Sequence, residues 1–93
     1  MPTIKPCFVA EITYVEGAAE KRAPYRAEHL ERVAKLQAEG VLVVAGAFDD
    51  MSASLFIMDV ASEDAAAAIV ETDVFYKQRI WTGYTMRKLN RAV

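Results

Sequence analysis

The stretch RAPYRAEHLERVAKLQAEG, residues 22–40, holds the only histidine of this 93-residue chain, His29, behind two arginines, Arg22 and Arg26. Imidazole is the side chain whose ordinary titration falls nearest neutral pH, so it is the group best suited to give and take protons. The first turn of a helix adds free N–H groups and partial positive charge, which attract anions. One histidine and two arginines in that position resemble a pocket for a carboxylate or a phenolate.

A helical wheel with Arg26 at zero puts Glu28, Glu31, Arg32, Lys35 and Glu39 between about 140° and 240°, a solvent face. Leu30, Val33, Ala34 and Leu36 fall between about −80° and +80°, with Gln37 also on that side. His29 lands at about −60°, between Val33 and Leu36, and Arg26 lies in the middle of the apolar stripe. A buried arginine needs an anionic partner, so something negative is expected to meet Arg26 there. A plainer reading is also open. His29 can be a packed residue with one satisfied hydrogen bond, and Arg26 can extend its head past the helix end. Asp73, in ETDVFY, is either a turn or capping residue or the acceptor that fixes one ring nitrogen of His29. Spacing alone does not pair two residues so far apart. Tyr25, Phe48, Phe75, Tyr76 and Trp81 are candidates for aromatic walls or for core packing.

The surrounding pattern supplies the elements. CFVAEITYV (7–15) reads as a strand and EGAAEKRAP as a loop. Pro24 suits the first turn of a helix that runs to about Glu39 and is closed by Gly40. VLVVAGAF (41–48) and SLFIMDV (54–60) read as strands joined by the turn DDMSA. Ser62 caps a second helix through about Glu71, with Glu63 and Asp64 in its first turn. TDVFYKQ connects to a last strand, RIWTGYTMRKL (79–89). The order β-α-β-β-α-β predicts a ferredoxin-like two-layer α+β sandwich over residues 1–93 as a single domain. Strands one to three carry apolar residues on both alternating sets, and the chain's own helices cover only one sheet face. A second copy on the other face, a homodimer, is therefore expected.

Composition bounds the rest. The formal net charge is −2, and eleven Lys and Arg are interspersed with thirteen Asp and Glu. That balance gives no footprint for nucleic acid, and Arg87, Lys88 and Arg91 read as a solvated tail. Cys7 is the single cysteine, in a setting that suits a buried strand thiol and a reducing cytoplasm. No signal peptide or membrane-spanning run is visible. HExxH, CxxC, paired-histidine and glycine-rich phosphate motifs are missing, so neither a metal nor a cofactor is expected.

Over most of its length the sequence resembles the YciI-like family of small proteins with the YCII-related domain, a dimeric α+β barrel. KRAPYRAEHLERVAKLQAEGVLVVAGAF resembles that family's R-x-x-H-L helix, glycine, apolar strand and second glycine. DVASEDAAAAIVETDVFY resembles its strand, Ser-capped helix and D-P-[FY] segment, with Val74 where the proline usually stands. Residue by residue, Arg26, His29, Gly46 and Asp73 match. The resemblance implies His29 and Asp73 as a catalytic pair, and it extends to members of the chloromuconolactone dehalogenase type. The expected function is cofactor-independent acid–base chemistry, an elimination, dehalogenation or isomerisation of a small anionic or phenolic molecule. Arg26, Arg22 and Gly46 would bind that molecule. The alternative is a non-catalytic dimer that binds a small molecule or a partner.

Overall fold

The computed structural model describes residues 2–93. Alternating apolar residues make strand β1, Ile4–Tyr14, the centre of a four-stranded antiparallel sheet. It pairs on one side with β4, Trp81–Ala92, and on the other with β3, Ala53–Met58, which in turn pairs with the edge strand β2, Leu42–Ala47. The order β2-β3-β1-β4 is that of the ferredoxin-like sandwich, so the expected α+β class holds. Two longer helices lie against this sheet, α2 (Arg26–Ala38) and α3 (Glu63–Glu71). Two short ones flank them, α1 (Ala18–Lys21) in the expected loop and α4 (Val74–Lys77) in the expected connection to β4.

The caps act locally, as the sequence indicates. Ser62 accepts a hydrogen bond from the Ala65 N–H at 3.1 Å and starts α3. Gly40, at φ +76°, ends α2. Its N–H donates to the Gln37 carbonyl and the Val41 N–H to that of Leu36, each at 3.0 Å, the pattern of a Schellman turn. Pro24 lies in a single 3₁₀ turn, Ala23–Tyr25, just before α2.

Cross-strand partners point to the same face of a sheet. The rows Ala45–Phe56–Ala10–Met86 and Ala47–Ser54–Ile12–Tyr84 face the helices and, with Trp81, Phe75 and Val70, build the core. The rows Val44–Ile57–Val9–Arg87 and Gly46–Leu55–Glu11–Thr85 form the outer face. Strict alternation along β2 would put Leu42 and Val44 together. A register shift between them instead turns Leu42 into the core and Val44 outward. The outer face is also less uniformly apolar than the strand patterns suggest. Val9, Leu55, Ile57 and Val44 form its apolar half, while Glu11, Thr85 and Arg87 toward β4 are exposed and polar. Among the described residues no helix is long and apolar enough to cross a membrane.

Candidate active site

Asp73 follows Thr72, which caps the C-terminus of α3, and adopts extended backbone angles. Its Oδ1 accepts the Phe75 N–H at 2.9 Å and so caps α4. That single role, common for an aspartate before a helix, turns the carboxylate inward. Val74 takes the first helical position, where the usual proline is also at home. Asp73 is completely buried, and a buried carboxylate persists only where several donors meet it. His29 Nδ1 lies 2.9 Å from both Oδ1 and Oδ2, and Arg32 donates Nη1 to Oδ2 at 3.1 Å. The second Arg32 nitrogen, Nη2, donates to Thr72 Oγ1 at 2.7 Å, and that hydroxyl donates to the Ala68 carbonyl.

An ionised carboxylate only accepts hydrogen bonds, so Nδ1 of His29 is the donor to it; in a neutral ring that leaves the lone pair on Nε2. The ring cannot swing. It stacks on Phe75 with centroids 4.0 Å apart and planes 13° from parallel, and Trp81 meets it edge-on at 5.5 Å. Nε2 has no hydrogen-bond partner among the described residues, yet it is not a sealed-off buried atom. His29 borders a cavity of about 350 Å³ between the start of α2 and the end of β2. Arg22 and Arg26 also line it, and neither has an ion-pair partner among the described residues. Tyr14, Phe48, Asp49, Met51 and Ser54 are also part of its wall. Ser54 donates to the Gly46 carbonyl at 2.8 Å, which ties the rim of β2 to β3. The turn between those strands is held by Asp50, which accepts the Ser52 N–H at 2.9 Å. The Ser52 hydroxyl first, and its N–H second, lower the aspartate's pKa.

The structure therefore brings His29, Arg22, Arg26 and Gly46 to one cavity and puts Asp73 behind the imidazole, away from the cavity. Gly46 takes part through its backbone, because its register puts a side chain there on the outer face, where a Cβ meets nothing within 4 Å. Several expectations need correction. Arg26 is exposed and meets no anion among the described residues, because the buried stripe of α2 is centred on His29 and Val33 rather than on Arg26. Leu30 and Gln37 are exposed for the same reason. Of the five candidate aromatic walls only Phe48 lines the cavity. Phe75 and Trp81 hold the imidazole from behind, Tyr25 packs against the core, and Tyr76 borders a separate groove beside Trp81. Arg32, assigned to solvent by its angle, is the residue that sequence reasoning missed. It stands one turn after His29 and about 60° further round the helix, on the flank that meets the α3–α4 junction.

Next to this junction, Tyr84 of β4 donates its hydroxyl hydrogen to Glu71. That bond to a carboxylate pushes the phenol pKa up to about 12, with burial adding to the effect.

A four-stranded antiparallel sheet backed by helices, with an aspartate-anchored imidazole at the mouth of a basic cavity, defines a small ferredoxin-like α+β protein. The model of the YCII-related domain family matches residues 7–90, and the chain belongs to that family. Its fold is similar to that of TftG, the 5-chloro-2-hydroxyhydroquinone dehydrochlorinase of Burkholderia phenoliruptrix, in complex with 2,5-dihydroxybenzoquinone. The TM-score is 0.77 at 24% identity, over 91% of this chain and 94% of that one, a likeness of fold. No curated protein matches the sequence significantly.

Proposed function

We propose that the protein is a cofactor-independent enzyme that uses His29 and Asp73 for acid–base chemistry on a small anionic or phenolic molecule, by elimination, dehalogenation or isomerisation. The observation that carries this reading is the division of the imidazole into two ends. Nδ1 is held by a buried carboxylate, and Nε2 is left without a partner beside a cavity with two unpaired guanidinium groups. In such a site Nε2 takes a proton from a C–H or O–H of the bound molecule, and Asp73 stabilises the imidazolium that forms. Arg22 and Arg26 hold the negative charge left on the substrate. In an elimination the released electron pair forms the new double bond and the leaving group departs with its own pair. In an isomerisation the imidazolium returns the proton to another atom of the same molecule. A positioned base of this kind contributes about 10²–10⁴-fold in rate. The chemistry named for TftG, removal of HCl from a chlorinated hydroxyhydroquinone, belongs to the first type and supports it as a starting point.

The active form in this reading is a homodimer. The apolar half of the outer sheet face, Val9, Val44, Leu55 and Ile57, is the surface a second copy would cover. The buried, unpaired Cys7 suits a reducing compartment, the cytoplasm. The reading is tested by turnover of lactones and chlorinated hydroxyquinols by the parent and by His29→Ala. The variant is expected to lose at least about 10²-fold in kcat. Equal turnover by both proteins would remove His29 from the mechanism, and tight binding without conversion by either would favour the non-catalytic alternative.

A further inference from the structure

We propose that Arg32 is a positioning residue of the proton-transfer pair: by taking a share of the Asp73 charge, it lets the carboxylate fix the Nδ1–H tautomer of His29 without holding the ring as a cation. This rests on the reading of His29 as the proton-transfer group, and it adds the direction of transfer.

Asp73 is one negative charge facing two possible cations, and its Oδ2 is shared between His29 Nδ1 and Arg32 Nη1. A carboxylate alone with an imidazole favours the protonated ring. With the half-buried Arg32 in place the carboxylate charge is already balanced, and Asp73 needs only the single hydrogen on Nδ1. Arg32 is itself well anchored. Its other nitrogen reaches Thr72 Oγ1, whose hydroxyl is fixed on the last turn of α3 by the Ala68 carbonyl. A forked guanidinium fills both places and a point charge fills one. The remaining charged and titratable groups around the ring are those of the cavity: Arg22, Arg26, Asp49 and Tyr14. Phe56, Phe75 and Trp81, which pack on the ring from β3, α4 and β4, carry no charge.

The consequence for chemistry is a resting site with an empty acceptor at Nε2. The first step is proton removal, and the substrate class is one that enters with an acidic C–H or O–H and becomes anionic in front of Arg22 and Arg26. A site resting as imidazolium would begin by protonating its substrate instead.

His29 is the only histidine, so ring-nitrogen NMR reports on it without ambiguity and without any substrate. The ¹⁵N shifts of the ring give the tautomer, and their pH dependence gives the titration midpoint. Arg32→Gln is expected to move the midpoint to higher pH than the parent. Arg32→Lys, which keeps the charge but fills only one of the two places, is expected to move it less than Arg32→Gln and in the same direction. Thr72→Val, which removes only the second anchor, is expected to move it less than Arg32→Gln and in the same direction. Retained tertiary structure is checked by near-ultraviolet circular dichroism, and if Arg32→Gln does not fold, Thr72→Val decides. A folded Arg32→Gln or Thr72→Val protein with the parent midpoint and tautomer overturns the assignment. This readout is independent of turnover, so inactivity toward every substrate would sink the proposed function and leave the Arg32 result standing.

Discussion

Replacing Asp73 by alanine tests the network on which the site depends. The carboxylate receives the Phe75 N–H, His29 Nδ1 and Arg32 Nη1, all at 2.9–3.1 Å, and is wholly buried. Alanine leaves these three donors facing a small void and removes the cap of α4. A buried donor left unpaired costs about 1–3 kcal/mol, the cap contributes about 1 kcal/mol, and breaking a buried ion pair costs about 3–5 kcal/mol in total. These figures overlap, so the net loss is expected at about 3–5 kcal/mol, a large part of the 5–15 kcal/mol typical of a domain. Asparagine is the informative comparison. Its oxygen can still accept from Phe75 and His29, but its amide nitrogen then faces Arg32, donor against donor, and the loss is expected at about 1–3 kcal/mol. Trp81 is the only tryptophan, with its ring centroid 5.5 Å from that of His29, so its fluorescence during urea unfolding follows this region. With a slope of about 1–3 kcal/mol per molar urea, the alanine midpoint should fall by more than about 1 M at fixed protein concentration. A loss under about 1 kcal/mol for alanine, or an asparagine variant less stable than alanine, would refute the reasoning.

Two further outcomes follow from particular contacts. Because Glu71 raises the Tyr84 phenol to about 12, the folded protein keeps that proton while the unfolded chain releases it near the ordinary value of 10.0. The stabilisation is complete below about pH 10 and is lost as pH rises through about 12. Tyr84→Phe should flatten that part of the stability–pH curve, and Glu71→Gln should bring the phenol absorbance titration of Tyr84 down. On the outer sheet face, Val44→Glu adds a charge at an exposed position of the edge strand, with little cost to the monomer. Light scattering should find a dimer for the parent and a monomer for the variant, and identical masses for both would exclude this face as the interface.

Much of this architecture was legible in residue order because its causes are local. Ser62 starts α3 through its own side chain, Gly40 ends α2 through its positive φ, and alternation draws the strands, each over a few neighbouring residues. The inward aspect of His29 follows in the same way from a period of about 3.6 residues. Arg26, His29, Gly46 and Asp73 could be picked out through the resemblance, because the motifs that carry it are short patterns along the chain. The register shift after Leu42 could not be seen, because it appears only when β2 is laid against β3.

The partnership of His29 with Asp73 spans 44 residues and depends on how α2 crosses the junction of α3 and α4, which no local period encodes. The role of Arg32 depends on the same crossing. Its angle on the wheel is that of a solvated residue, and only the approach of Asp73 and Thr72 turns it into a partner. The cavity, too, exists only once the start of α2 stands over the end of β2. Sequence alone determined which groups are present and that His29 faces inward, since both are properties of neighbours along the chain. Which groups meet was left to tertiary packing, because burial of the shared core sets the distances between elements.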